Sequence, residues 1–349
     1  MTIGDQRQRI GRTLEGDVLE IGPGARPYPT APGARVIYAD RSVPGGRRLN
    51  WPELRDSPAG PDAEHDVDLD RDGLRVLADA SLDAVIASHV IEHVANPVAA
   101  LVEFQRVLRP GGRLVLIVPD REHTFDWVRQ PTSFAHLWEE YEAGTTEVSA
   151  EHITEFCRSI YMQAPVHPPQ VRAWHDPKAL DDALLALHRR RSIHVHCWAP
   201  EEFASLLANL LRQGTLSFDL SHAYFCQDLP GGRGDEFGFV LKKTALSAPA
   251  TTLAERFVRE WCRLTLDESK APPQRLWRLQ TALQSDLPQG MQSMAALPAQ
   301  ALADRRVQVR RPGLKPRDLR RLALRGRQTL RELLLPASHP ELPRADDRG

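Results

Sequence analysis

An α/β fold, doubly wound around a mostly parallel sheet and closed by an antiparallel terminal hairpin, is what the sequence predicts. Three observations predict it. Short apolar runs end in a glycine turn or an acid, at Asp17–Gly22 and Arg35–Asp40. A stretch with apolar residues at helical spacing, NPVAALVEFQRVL, separates two further runs, Leu82–Ser88 and Gly112–Pro119. The polar loop Gly231–Asp235 joins the last two apolar segments, LSFDLSHAYF and EFGFVLK, as a hairpin at the sheet edge. Strand, helix, strand with continuously apolar runs implies parallel strands covered by helices on both faces.

Each element follows from its residues. Asp17–Gly22 reads as a buried strand ending in a tight turn, and Arg35–Asp40 as a second strand ending in an acid. The helix after Asn96 is expected to stop at Arg109-Pro110-Gly111-Gly112, a terminator that feeds a tight turn into the next strand. After Asp120 the pattern breaks. Residues 121–193 are rich in His, Trp, Pro and charge, with helix-like pieces FAHLWEEYEAG, AEHITEFCRSIYMQ and KALDDALLALHRRR. They read as an insertion over the carboxyl ends of the strands. The sheet resumes through an amphipathic helix from Ala199 to about Leu211. The predicted domain therefore spans 15–243. A helical extension follows over 250–288, with TTLAERFVREWCRLTLDES and PPQRLWRLQTALQSDL as its helices. Residues 289–349 form a basic, partly disordered tail in this reading.

Bulk properties narrow the function classes. The chain has 349 residues, room for one to three domains, and a formal net charge of -1, which exerts no global pull toward nucleic acid. Its four cysteines form no C-x-x-C pair, which argues against a zinc ribbon or a disulfide framework and fits a reducing compartment. The amino-terminal MTIGDQRQRIGRTLEGD has no apolar signal core, and no run approaches the ~18 apolar residues of a membrane span. A cytoplasmic location is expected. Between Arg305 and Arg331 stand eleven Lys/Arg and one acid, Asp318, a tract suited to an anionic surface or an acidic partner, and to peripheral membrane contact. It lacks interleaved aromatics, so no specific nucleic-acid readout is expected.

The strongest chemical signal is Glu20-Ile21-Gly22-Pro23-Gly24. A strand ending in E-x-G-x-G turns sharply beside a ligand, because glycine has no Cβ to block its approach. Position 27 is Pro27, so the third glycine of a dinucleotide fingerprint is missing. Asp40 stands where a carboxylate accepts hydrogen bonds from both hydroxyls of a ribose. The string Ser88-His89-Val90-Ile91-Glu92-His93-Val94 contains His-x-x-Glu-His, the inverted zinc-peptidase signature. That signature needs both histidines on one helix, one turn apart. Here a strand runs directly into His89, so no metal is expected, and His93 reads as structural, packing on the glycine loop or capping a turn.

In this order and spacing, VLEIGPG, VIYAD, LDAVIASHVIEHV and RVLRPGGRLVLIVPD resemble the class I S-adenosylmethionine-dependent methyltransferases, and more narrowly the type-11 domain, a Rossmann-like fold. The resemblance covers roughly residues 15–243 and implies S-adenosyl-L-methionine as cofactor. It implies that Glu20, Gly22 and Gly24 line the methionine and ribose part and that Asp40 holds the ribose. Asp66 and Val67 would flank the adenine, with Asp66 or Asp68 taking its amino group. Ser88 and His89 would sit near the reactive methyl.

An alcohol acceptor needs a base for its proton. The candidates are His89, Asp120, His123 and the pair His194-Val195-His196, whose alternate residues share a side in extended chain and so form a base-and-orienter pair or a metal pair. Asp120, His123 and His194 are the expected acceptor-facing residues. Trp127, Phe134 and Trp138 either stack on the acceptor or belong to the core. The leading expectation is methylation of a sugar, glycan or other small hydroxylated acceptor. Its alternative is a catalytically inactive cofactor-binding module in a polysaccharide-assembly complex, and a metallopeptidase ranks third.

Overall fold

The computed structural model describes residues 2–41, 60–163, 175–191, 193–229, 234–244, 249–286 and 292–308. The chain divides into two units, Met1–Leu302 and Ala303–Gly349. In the first, helix α1 (Ile3–Gly11) precedes strands β1 (Asp17–Ile21), β2 (Arg35–Asp40), β3 (His65–Asp66) and β4 (Leu82–Ser88). Helix α2 (Pro97–Val107) leads into β5 (Leu108–Pro119). Among the described residues of the 121–193 stretch follow the α-helices α3 (Phe134–Ala143), α4 (Ala150–Met162) and α5 (Asp182–Arg191). Helix α6 (Pro200–Arg212), strands β6 (Phe218–Phe225) and β7 (Glu236–Lys243), and helices α7 (Ala250–Glu268), α8 (Pro272–Asp286) and α9 (Gln292–Gln308) complete the order. Of the second unit only residues 303–308, the end of α9, are described.

The seven strands form one sheet in the order β3-β2-β1-β4-β5-β7-β6. The first five run parallel, and β7 enters antiparallel between β5 and β6. Alternation along the strands explains why their sequences are apolar throughout. Val85 and Ala87 of β4 and Leu114 and Leu116 of β5 face one core, while Ala84, Ile86, Val115 and Ile117 face the other. Phe104 of α2 and Phe203 of α6 fill the first core, and Ile10 of α1, Leu14 and Tyr28 fill the second. Truncating a fully buried phenylalanine such as Phe104 to alanine costs about 3–5 kcal/mol.

Local chemistry sets the boundaries. Asn96 caps α2, its side chain accepting from the Ala99 N–H at 3.0 Å, and Pro97 occupies the first helical turn, where no donor is lost. The Pro-Gly-Gly segment behaves differently from the expected turn. Leu108 already pairs with Leu82, and the next pair is Arg113 with Ala84, so residues 109–112 bulge within one long strand. Gly111 supplies the positive φ of +82° that this bulge requires.

Helices α7 and α8 bury Phe257, Trp261, Leu276 and Leu279 in the larger core, so both belong to the same core as the sheet. Arg275 of α8 donates to Glu201 and Asp228 and lies over the Phe225 ring. The stretch expected to be a tail from residue 289 instead opens with helix α9, which buries Met294, Ala295 and Leu297. The basic tract Arg305–Arg331 lies outside the described residues, apart from the backbone of its first four. Among the described residues no helix is long and apolar enough to cross a membrane.

Candidate active site at the carboxyl ends of the strands

The sheet order reverses direction between β1 and β4, which opens a crevice beyond the carboxyl ends of these two strands. The glycine turn occupies that position. Gly22 and Gly24 have φ of +62° and +58°, and a Cβ added at Gly24 would meet nothing within 4 Å. Val90, rather than His93, packs against Gly22. Glu20, at the end of β1, is 2% exposed. Its Oε1 accepts the Tyr28 N–H at 2.8 Å, and its Oε2 has no hydrogen-bond partner. Burial pushes this carboxyl up to about 7, against the opposing pull of the Tyr28 N–H and the Arg7 charge. An orphaned carboxylate oxygen beside an open glycine turn suits a ligand that brings hydroxyl or amine donors.

Asp40 ends β2 and pairs in register with Asp66 at the end of β3, so the two acids stand side by side. The Asp40 carboxylate accepts from the Arg41 N–H at 2.8 Å. Val67 is buried and its N–H donates to the Asp40 carbonyl at 3.0 Å. Ser88 ends β4 opposite Ile117. His89 follows with φ +55°, a left-handed conformation uncommon outside glycine. Glu20, Gly22, Gly24, Asp40, Asp66, Val67, Ser88 and His89 therefore all stand at or just beyond the ends of β1 to β4.

A buried network absent from the sequence reading holds His89. Glu236, the first residue of β7, is 5% exposed. Its Oε2 meets His89 Nε2 at 3.1 Å and Arg7 at 2.6 Å, and its Oε1 accepts from the Tyr224 hydroxyl at 2.9 Å. Burial would raise this carboxyl, but the bonds from His89 and Arg7 prevail and bring it down to about 2. His89 in turn is raised: desolvation opposes its charge, and Glu236 and Glu92 outweigh that. Arg7 also lies 5.7 Å from the centre of the Tyr28 ring. The one signal for this network was a glutamate opening a strand whose next five residues, FGFVL, are apolar or glycine.

On the side of β5, two His–Asp pairs form. Asp120 is buried, and its Oδ2 meets His123 Nδ1 at 3.0 Å while its Oδ1 accepts the Glu122 N–H. Burial raises the Asp120 carboxyl despite these bonds. His123 is 40% exposed, so its other ring nitrogen is accessible. His194 Nδ1 meets Asp126 Oδ2 at 2.6 Å, and Arg129 reaches the other oxygen of Asp126 at 2.7 Å. Burial favours a neutral Asp126, yet His194 and Arg129 lower it. The His194 ring packs on Phe125 and His93, with centroids at 4.6 and 4.9 Å.

His194 and His196 do not act as one pair. His196 is fully buried against Trp198 and the rings of His136 and His152. His93 donates neither to the glycine loop nor as a cap; its Nδ1 bonds the Ile193 carbonyl at 2.9 Å and so ties the turn after β4 to the 193–198 segment. Glu92 is 1% exposed with both carboxylate oxygens unbonded, and His89 and His93 each approach its Oε1 at 3.6 Å. Of the three aromatics, Phe134 is core, Trp138 stacks on it, and Trp127 is 61% exposed.

Sheet order, glycine turn and strand-end acids define the class. Residues 60–116 match the family model described as a methyltransferase domain. The matched segment lies within a sheet of the Rossmann-like methyltransferase order. It is 54% identical over 44 residues to an uncharacterized 37.1 kDa protein of a Streptomyces fradiae transposon, covering 13% of each. It is 44% identical over 54 residues to an uncharacterized methyltransferase of Mycobacterium tuberculosis, 16% of this chain and 22% of that one. A demethylmenaquinone methyltransferase of Mycobacterium sp. (strain KMS) is 37% identical over 103 residues, 28% of this chain and 43% of that one. The chain thus spans less than half the length of these relatives. Among solved structures, a SAM-dependent methyltransferase from Methanosarcina mazei aligns at 15% identity with a TM-score of 0.33, over 68% of this chain and 96% of that one. That likeness is too distant to bear on function.

Proposed function

We propose that the chain is an S-adenosylmethionine-dependent methyltransferase that methylates a hydroxyl of a sugar or another small acceptor. The observation that carries the cofactor reading is the buried Glu20, one oxygen unpartnered, beside the open turn at Gly24. Glu20, Gly22, Gly24 and Asp40 would hold the methionine and ribose portions, Asp66 and Val67 the adenine, and Ser88 and His89 the methionine end. When bound, S-adenosylmethionine supplies an electrophilic methyl on a sulfonium, a leaving group that needs no protonation.

The protein's own part is then positioning and proton removal. Asp120 fixes the His123 ring through Nδ1, which leaves Nε2 as acceptor for the hydroxyl proton while the oxygen takes the methyl. A base held this way favours a hydroxyl acceptor, since an amine or carboxylate needs none. His194, held by Asp126, is the second acceptor-side histidine in this reading. The test is a screen with a labelled methyl donor against nucleotide sugars, glycans and small phenols, beside small amines and carboxylates, with Asp40→Ala as control. Label in a hydroxylated acceptor that is lost in the variant is the expected result. Transfer only to amines or carboxylates would overturn the acceptor assignment.

A further inference from the structure

Away from the strand ends, four side chains converge in the 121–198 region. His136 and Glu140 are one turn apart on α3, His152 lies in the first turn of α4, and His196 belongs to the extended segment before α6. One donor atom from each lies within 4.8 Å of all the others. His136 Nε2 is 2.9 Å from His152 Nε2, and Glu140 Oε1 is 3.3 and 3.5 Å from these two nitrogens. His196 Nε2 is 3.6 Å from Glu140 Oε2.

The three nitrogen–carboxylate separations, 3.3 to 3.6 Å, are near those of a coordination shell. With bonds of about 2.0–2.1 Å to nitrogen or oxygen, a tetrahedral ion has ligand–ligand edges of about 3.3–3.4 Å. Hydrogen bonding within the protein accounts for the cluster poorly. Two imidazole nitrogens facing each other allow one proton between them. Buried His196 makes no well-formed hydrogen bond from either ring nitrogen, the backbone of Ala95 offering a weak one at most, and Glu140 Oε2 is likewise unpartnered. An outer partner is present as well: His152 Nδ1 meets Ser149 Oγ at 3.1 Å, which orients Nε2 inward.

We propose that His136, Glu140, His152 and His196 bind one Zn²⁺ or a similar transition-metal ion. Three imidazoles and a carboxylate suit such an ion better than Mg²⁺ or Ca²⁺, which prefer all-oxygen shells. Four protein ligands close the shell, so the ion is structural: it ties α3, α4 and the 193–198 segment together. His136, Glu140 and His152 also line an open cavity of ≈ 690 Å³, with Arg129, Glu155 and Arg158, which gives the ion a route in.

The test is metal content and binding on the full chain. Protein loaded with Zn²⁺ and passed through a desalting column should retain one ion per chain by mass spectrometry, and Co²⁺ should give the intense visible bands of a tetrahedral site. His136→Gln and His152→Gln change partly exposed side chains, and circular dichroism confirms their folding. Both should lose the ion and the cobalt bands. Donor atoms of Glu92, His93 and His194 also lie within 4.8 Å of one another, so His194→Gln tests that neighbouring cluster as the holder and should keep the ion. Thermal midpoint should rise with Zn²⁺ in the wild type and not in the first two variants. A wild type that retains no ion would overturn the proposal. So would retention by folded His136→Gln and His152→Gln, or loss confined to His194→Gln.

Discussion

Replacing Glu20 with glutamine separates what this carboxylate costs the free protein from what it gives a ligand. The group is buried at the end of β1, with one oxygen bonded to Tyr28 N–H and the other unpartnered. Its proton affinity rises from the ordinary 4.5 to about 7. At about 1.4 kcal/mol per tenfold change in affinity, that rise corresponds to about 3 kcal/mol. The sign follows from the raised value. Stability from this group is fully present below pH 4.5 and is lost as pH climbs through about 7, because the unfolded chain releases the proton earlier. Glutamine keeps the acceptor for Tyr28 and cannot ionise. The variant should therefore match the wild type near pH 4 and exceed it by about 3 kcal/mol at pH 8. Urea denaturation at half-unit steps of pH, in the absence of cofactor, reads this gap. S-adenosylmethionine affinity should move the other way, falling in the variant and rising with pH in the wild type. A stability gap that does not change between pH 4 and 8, or a variant less stable at pH 8, would refute the reasoning.

Two further substitutions probe the neighbouring groups. Glu236→Gln removes a carboxylate held down to about 2 by His89 and Arg7, so the variant should lose about 3 kcal/mol at pH 7, a deficit that starts to shrink below pH 4.5 and closes as pH falls through about 2; denaturant midpoints at pH 7, 4 and 2 measure it. His123→Gln should lower the rate of methyl transfer by about 10²–10⁴ while leaving cofactor affinity within about twofold, read by single-turnover transfer beside calorimetry. An equal loss of cofactor binding would instead make His123 part of the cofactor pocket.

The strands were legible because parallel strands are buried on both faces, and such runs as VLEI and LVLIV have no competing helical reading. The strand-end acids Asp40 and Asp66 and the glycine turn were legible for a related reason: the chemistry sits where local pattern ends. Glu236 was not, since its partners Arg7, His89 and Tyr224 come from α1, the end of β4 and β6, and only the closed sheet brings them together. The His-x-His pair misled in the same way. Alternation predicts a shared side for His194 and His196, but packing sends one to Asp126 and the other to the α3–α4 histidines. Pro110-Gly111-Gly112 carried a strong turn signal, yet tertiary pairing with β4 absorbed it as a bulge. Helix α9 escaped notice because Pro298 stands inside it, a residue that ordinarily breaks a helix.

Titration calorimetry of the full chain with S-adenosylmethionine and S-adenosylhomocysteine, beside Asp40→Ala, tests the central claim most directly. The strand-end architecture predicts saturable one-to-one binding of both by the wild type, weakened at least about tenfold, or about 1.4 kcal/mol, when the Asp40 carboxylate is removed. No saturable binding by the wild type, or equal affinity in the variant, would contradict it.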